Sequence, residues 1–182
     1  DRVFFEELRR GDIDALDDIQ VAAWMIYLNK TGFNGLYRVN KSGGFNVPFG
    51  RYKNPTICDP DRLFIASEAL QGTEILHASF VQVTKLAKPG DFVYFDPPYV
   101  PLTETSSFTS YTKDGFGIEE QTCLRNTAEN LKAREVDVLL SNSSAGAVFD
   151  LYENFEIEEV YATRAINSKA SGRGKVAEVL IR

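Results

Sequence analysis

Asp96-Pro97-Pro98-Tyr99 stands directly after an apolar run, Phe92-Val-Tyr-Phe95. A carboxylate, a rigid backbone and an aromatic ring therefore occupy four consecutive positions. Each proline has a fixed φ and no N–H, so local hydrogen bonds cannot consume every carbonyl in such a turn. Asp96 offers a carboxylate acceptor, Pro97 a backbone carbonyl and Tyr99 a flat face. Two acceptors beside a stacking surface suit a planar group bearing an NH2 with two donors, such as the exocyclic amine of a nucleobase. The plain alternative is a strand-ending Asp-Pro turn with a buried tyrosine, and Asp-Pro-Pro alone admits both.

Cations are the second chemistry-bearing group. The 182 residues carry a net charge of -6, which by itself argues against polyanion binding. The distribution says more. Asn29–Cys58 has no acid but holds Lys30, Arg38, Lys41, Arg51 and Lys53. Val160–Ala177 again has no acid and holds Arg164, Lys169, Arg173 and Lys175. The remaining chain carries 11 bases against 26 acids. Two solvated loops would look this way, and so would two phosphate-binding patches on an acidic body.

Other chemistries are poorly served. A single histidine, His77, rules out multi-histidine metal sites, and Cys58 and Cys123 have neither metal-ligand spacing nor a disulfide framework. No metal is expected, and a reducing, cytoplasmic compartment is the natural reading. No apolar stretch approaches the ~18 residues of a membrane span. The chain opens without methionine on a charged DRVFFEELRR, with no visible signal peptide. It reads as beginning in mid-fold, with an N-terminal part missing.

The elements that must position these residues fall into two groups. Residues 1–30 read as helical, with Asp12 or Asp14 as cap and apolar residues at Leu16, Ile19, Ala22, Ala23 and Ile26. Gly32 ends the run. Phe33–Tyr52 is rich in Gly, Asn and aromatics, and Lys41-Ser-Gly-Gly44 is a turn signal between LYRVN and FNVPF. A basic hairpin is expected there, as an edge feature because of Pro48. From Asp59 the pattern predicts a helix to about Leu70, a strand at Glu74–His77, and a short helix at Phe80–Leu86. A strand at Asp91–Phe95, a helix at Ile118–Arg134, a strand at Val136–Leu140 and a short helix at Ala145–Tyr152 follow. The last elements are strands at Phe155–Tyr161 and Val176–Ile181, expected to pair antiparallel at a sheet edge. Alternating strands and helices predict an α/β fold with a parallel sheet. We divide the chain into residues 1–58, which carry the first acid-free basic window, and 59–182, which carry Asp96-Pro97-Pro98-Tyr99. In such sheets ligands lie beyond the carboxyl ends of the strands, where Asp96 falls.

The DPPY tetrapeptide, followed by VPL and FTSYT, resembles the amino-methyltransferases that modify adenine N6 in DNA. Upstream, YLNKTGFNGLYRVNKSGGFNVPFGRYK resembles the target-recognition segment of Dam-type, GATC-methylating enzymes over more than twenty consecutive residues. RAINSKASGRGKVAEVLI resembles the closing segment of the same family. The resemblance covers nearly the whole chain. It implies a Rossmann-like S-adenosylmethionine-dependent methyltransferase sheet with a helical target-recognition subdomain carrying the basic hairpin. Duplex DNA is the implied partner, S-adenosyl-L-methionine the cofactor, and the protein is expected to act as a monomer.

The resemblance also implies residue roles. Asp96 and the Pro97 carbonyl would hold the amine of a flipped adenine, and Tyr99 would stack on it. Arg38 would contact a guanine, Leu36 a thymine methyl, and Asn34 would fill the vacated space. Phe33, where the family often has tyrosine, would wedge beside the flipped base. Arg51 would hold a phosphate, with Lys53 a second candidate. Asp96 also approaches the cofactor's amino group in the family, and Phe80 stands where an aromatic packs on the cofactor adenine. Phe33 and Leu36 could instead be core residues and Arg51 a surface ion-pair partner, readings that the surrounding motif disfavours, while Phe80 could equally be a core residue. His77 reads as an ordinary strand residue. Ser141-Asn142 could line the pocket but reads better as a helix cap.

Besides Phe33, the chain departs from the family in two features, one being that the lysine near the family's N-terminus that helps read the site lies outside this chain. The family's cofactor site begins with an F-x-G-x-G turn upstream of the recognition segment, and no such turn occurs here. A cytosine-C5 mechanism needs a cysteine after a proline, which neither Cys58 nor Cys123 satisfies. Cytosine-N4 enzymes often carry serine in place of the DPPY aspartate. A protein- or RNA-directed amine methyltransferase would not need the base-reading hairpin. A DNA-binding remnant without cofactor binding is the alternative from a different class.

Overall fold

The computed structural model describes residues 1–40, 42–102, 116–164 and 174–182. The FTSYT stretch, Lys41 and, in the second acid-free window, Lys169 and Arg173 lie outside the described residues. The described residues form two compact units, Asp1–Leu76 and His77–Arg182. The sequence reading divides the chain at Cys58/Asp59 instead, before the helix that belongs with the first unit.

The first unit is helical with a long loop. Helix α1 (Arg2–Leu8) is capped by the Asp1 carboxylate. Helix α2 (Asp18–Thr31) starts with a capping box in which Asp17 and Gln20 satisfy each other's backbone N–H groups. Helix α3 (Pro60–Ala69) has Asp59 as cap and proline in its first position. Phe5, Trp24, Leu28, Phe45 and Val47 form a buried core between α1, α2 and the loop. The Trp24 indole N–H donates to the Leu8 carbonyl at 2.9 Å, so its one polar atom is satisfied.

That loop, from Gly32 to Tyr52, is fixed at three points. Isolated antiparallel bridges join Gly32 to Phe49 and Val39 to Phe45. The Asn40 carboxamide oxygen accepts from Ser42 N, Ser42 Oγ and Gly44 N, closing the turn between the two arms. At the base, Gly50 N donates to Thr31 O at 2.7 Å. A side chain at Gly50 would put its Cβ 2.9 Å from that carbonyl and 2.6 Å from the Tyr52 ring, closer than van der Waals contact permits.

The second unit is a mixed α/β layer. Its strands are β1 (Phe92–Phe95), β2 (Asp137–Ser143), β3 (Ile157–Arg164) and β4 (Gly174–Ile181), in the order β1-β2-β4-β3. Only β1 and β2 are parallel, in register from Phe92↔Asp137 to Phe95↔Leu140. Strand β4 is antiparallel to both β2 and β3. The expected parallel sheet is thus corrected to a mixed one, and the expected antiparallel pair of last strands is present. Helix α5 (Ile118–Lys132) connects the two parallel strands and buries Gln121, Leu124, Thr127, Ala128 and Leu131. The apolar members of that stripe meet Phe95, Val138, Leu140, Val179 and Ile181 in one core, with helix α6 (Gly146–Leu151) contributing Val148. A short 3-10 turn at Phe80–Gln82 leads into α4 (Val83–Leu86). The Arg134 guanidinium donates to the Thr84 and Ala87 carbonyls and caps that helix.

Two local expectations fail. Glu74–His77 is not a strand, and Ile75 and Leu76 are exposed. A short apolar pair such as Ile75-Leu76 needs a neighbouring strand to pair with, and no described strand lies beside it. His77 is likewise an exposed loop residue rather than a strand residue. Strand β2 runs three residues further than expected and takes in Ser141 and Asn142, which are therefore not a helix cap.

Candidate active site and nucleic-acid interface

Strand β1 ends at Phe95, and the DPPY turn begins at its carboxyl end. The register Phe95↔Leu140, continued by one step, sets Asp96 opposite Ser141. Parallel neighbours share a face, and the Ser141 hydroxyl indeed donates to Asp96 Oδ1 at 2.9 Å. On the same face, one pleat earlier, the Tyr94 phenol donates to Ser141 Oγ at 3.0 Å. Asp96 itself is exposed, and no described residue donates to its second oxygen.

Asn142, on the opposite face of β2, and Ser143, on the Ser141 face, grip the remainder of the turn. Gln121 and Asn142 are both fully buried. Gln121 Nε2 donates to the Pro98 carbonyl at 2.8 Å, and Asn142 Nδ2 donates to Gln121 Oε1 at 3.2 Å. Asn142 Oδ1 accepts from Val100 N at 3.0 Å, and Ser143 Oγ donates to the Val100 carbonyl. Tyr99 is thereby pinned on both sides through its neighbours' main chain. Among the described residues, the Pro98 carbonyl is taken and the Pro97 carbonyl is not.

Tyr99 is half-buried. Burial raises its phenol above the ordinary tyrosine pKa; the Ser141 hydroxyl pulls it down, and the charges of Glu178 and Asp96 push it further up. The ring is neutral at physiological pH, as a stacking surface for a base should be. Phe80 is half-buried against the sheet core, 6.0 Å from the Phe116 ring centroid at an interplanar angle of 57°. A core residue and a ring lining a cofactor pocket are both compatible with that position.

In the first unit, Phe33, Asn34, Leu36, Arg38, Arg51 and Lys53 lie along or just beyond the loop. Phe33, Leu36, Arg38, Arg51 and Lys53 are open to solvent. The core reading of Phe33 and Leu36 is corrected by exposures of 47% and 41%. Arg51 makes no ion pair among the described residues. Asn34 adopts φ 55° and Gly35 φ 62°, a left-handed pair at a tight 3-10 turn. Asparagine and glycine are the residues that tolerate this conformation. Asn29, at the end of α2, donates its carboxamide to the Gly35 carbonyl and anchors the turn.

Arg38 Nε and Nη2 donate to the Asn46 carbonyl at 3.0 and 2.7 Å. This uses the side-on fork of the guanidinium. The end-on fork, with one N–H on each of Nη1 and Nη2, points away from that carbonyl and has the bidentate geometry that fits a guanine edge.

The clamp formed by Gln121 and Asn142 escapes the sequence reading. A signal is present: Gln121 continues the apolar stripe Leu124, Ala128, Leu131 by one step of three, which places an amide where a core residue belongs. Among the described residues no cluster of histidine, cysteine, aspartate and glutamate could hold a metal, and no helix is long and apolar enough to cross a membrane.

The Asp96-Pro97-Pro98-Tyr99 turn lies at the carboxyl end of β1, and the Gly32–Tyr52 loop carries exposed Arg38 and Arg51. Residues 1–166 match the model of the D12 class N6 adenine-specific DNA methyltransferases, and the chain belongs to that family. It is 46% identical over 175 residues to the type II methyltransferase M1.LlaDCHI of Lactococcus lactis subsp. cremoris, covering 95% of this chain and 62% of the relative. It is 48% identical over 158 residues to the type II methyltransferase M.MjaIII of Methanocaldococcus jannaschii, covering 86% and 55%. It is 37% identical over 177 residues to the DNA adenine methylase of Escherichia coli K12, covering 97% and 62%. The chain thus spans roughly three-fifths of the length of these curated relatives.

Proposed function

We propose that this chain is the target-reading and amine-holding part of a site-specific DNA methyltransferase. It transfers a methyl group from S-adenosylmethionine to adenine N6 in duplex DNA, within GATC, after flipping the base out of the helix. The second unit is read as part of a Rossmann-like methyltransferase sheet, and the Gly32–Tyr52 loop as a basic hairpin entering the major groove. The protein works as a monomer in the cytoplasm. Relatives named DNA adenine methylase support this reading.

The observation that carries it is the division of acceptors in the DPPY turn. Ser141 takes one Asp96 oxygen and Gln121 takes the Pro98 carbonyl. The second Asp96 oxygen and the Pro97 carbonyl accept from no described residue, and two acceptors are what an exocyclic amine requires. Conjugation leaves adenine N6 with little lone-pair density. Hydrogen bonds from both its hydrogens to Asp96 and Pro97 let the nitrogen move toward sp3, which directs its lone pair at an incoming methyl. Catalysis is then positioning and charge placement. Tyr99 stacks on the extruded base and helps offset an unstacking cost of a few kcal/mol.

S-adenosylmethionine supplies an electrophilic methyl on a sulfonium. The described residues fit it at two points: the free Asp96 oxygen can accept from its ammonium, and the Phe80 ring can pack on its adenine. In the first unit, Arg38 reads a guanine, Leu36 a thymine methyl, and Asn34 fills the vacated space while Phe33 wedges beside it. Arg51 and Lys53 hold phosphates.

Calorimetric titration of S-adenosylmethionine into this chain and into the intact protein, with methyl transfer to GATC duplexes, tests the reading. Binding and adenine methylation by the intact protein are expected. Duplex binding with no cofactor binding by either would leave a DNA-binding function alone. Methyl found on cytosine would replace adenine N6 with cytosine N4.

A further inference from the structure

Asp96 is exposed, on a turn, with a carboxylate free to rotate about its last bond. A group meant to hold an amine at a fixed point needs something to stop that rotation. The sheet supplies it. Ser141, 4% exposed, donates to Asp96 Oδ1 at 2.9 Å. The Phe95 carbonyl lies farther off, at 3.5 Å, and the Tyr99 phenol is also within the reach of the Ser141 hydroxyl. Behind Ser141 stands Tyr94, 52% exposed, whose phenol donates to Ser141 Oγ at 3.0 Å.

The direction of this chain follows from charge. An ionised carboxylate has no proton to give, so Ser141 must donate to it, and the serine oxygen is then left to accept from Tyr94. Both protons point toward Asp96. Charge-assisted bonds are stronger than neutral ones, and each member of a hydrogen-bonded chain polarises the next. One Asp96 oxygen is anchored while the other stays available.

We infer that Ser141 and Tyr94 are positioning residues: a two-step donor chain that fixes the Asp96 carboxylate so that its second oxygen meets the amine of the target base. The inference rests on the proposed holding of adenine N6 by Asp96, and it assigns to β2 and to the strand preceding the DPPY turn a part in substrate capture. Neither side chain touches the base.

The test uses the intact protein, with Ser141→Ala, Ser141→Thr, Tyr94→Phe and the Ser141→Ala/Tyr94→Phe double variant. The first readout is binding, without cofactor, to duplexes whose target base is adenine or unsubstituted purine, which lacks the amine. Ser141→Ala should shift the adenine-to-purine affinity ratio about ten- to hundredfold against adenine, the range expected for a bond to a charged group. Affinity for a duplex lacking the site should stay within about twofold. Ser141→Thr, which keeps the hydroxyl, should restore the ratio.

Single-turnover methyl transfer is the second readout. Tyr94→Phe should slow it by a smaller factor than Ser141→Ala and shift the adenine-to-purine ratio in the same direction by less. The double variant should be no slower than Ser141→Ala alone, because Tyr94 acts only through the serine. Additive losses, or a Ser141→Ala protein with the wild-type ratio and rate, overturn the inference. A wild-type protein that prefers adenine over purine but transfers no methyl overturns the transferase reading and leaves the donor chain standing.

Discussion

Asp96 and Arg38 share a device: each has one edge tied to the protein and another that, among the described residues, meets no partner. Asp96 gives one oxygen to Ser141, and Arg38 gives its side-on fork to the Asn46 carbonyl. Holding a side chain in advance reduces the rotamer entropy lost on binding, which for arginine is about 2 kcal/mol. The two residues should nevertheless fail differently. Asp96→Ala should abolish methyl transfer and leave duplex affinity within a few-fold, measured by single turnover beside a binding isotherm; preserved turnover would move the chemistry elsewhere. Arg38→Ala should relax preference at one base pair by ~1–3 kcal/mol, read by competition between duplexes altered at each position. Uniform weakening of all sequences would make Arg38 a phosphate contact instead.

Strand β2 is the element on which the candidate site depends, because its two faces do different work. Ser141 and Ser143 face one way and hold Asp96 and the Val100 carbonyl; Asn142 faces α5 and, with Gln121, holds Pro98 and Val100. Gln121→Leu should keep the volume of the stripe but leave the Pro98 carbonyl and the Asn142 amide without partners. A loss of about 1–3 kcal/mol is expected, read as a lower denaturant midpoint at unchanged slope. Stability equal to wild type would mean that solvent replaces the amide. This pair also marks the boundary of what the sequence disclosed. DPPY, the amphipathic α5 and the antiparallel final strands were legible because each rests on local pattern. The polar run Ser141-Asn142-Ser143 reads as a strand end because polar residues normally leave a sheet. Here they stay inside it, since their partners come from a turn some forty residues earlier in the chain, a pairing that no local pattern encodes. Glu74–His77 failed for the converse reason: Ile75 and Leu76 suit a strand locally, but a strand exists only beside another strand.

Across the whole molecule, charge is separated by segment. The chain carries 26 acids, yet none lies between Asn29 and Cys58, where Arg38, Arg51 and Lys53 are exposed. Duplex binding should therefore weaken steeply with salt despite the net charge of -6. Replacing both Arg51 and Lys53 with alanine should flatten the log–log salt dependence by about 2, one for each phosphate no longer neutralised, with base preference retained; an unchanged slope would remove both from the interface. The reading loop has one more consequence. It is fixed by the buried Phe45 and Val47 side chains, by the Gly50 N–H on Thr31, by the Asn29 and Asn40 carboxamides, and by the Arg38 side chain on the Asn46 carbonyl. The exposed Phe33 and Leu36 side chains lie between those anchors, whereas Arg38 is itself one of the ties. Positions 33 and 36 should therefore accept substitution at little cost to the fold, and a change at 38 should loosen the loop, so lineages built on this scaffold can vary the first two in single mutational steps, each intermediate still a folded protein.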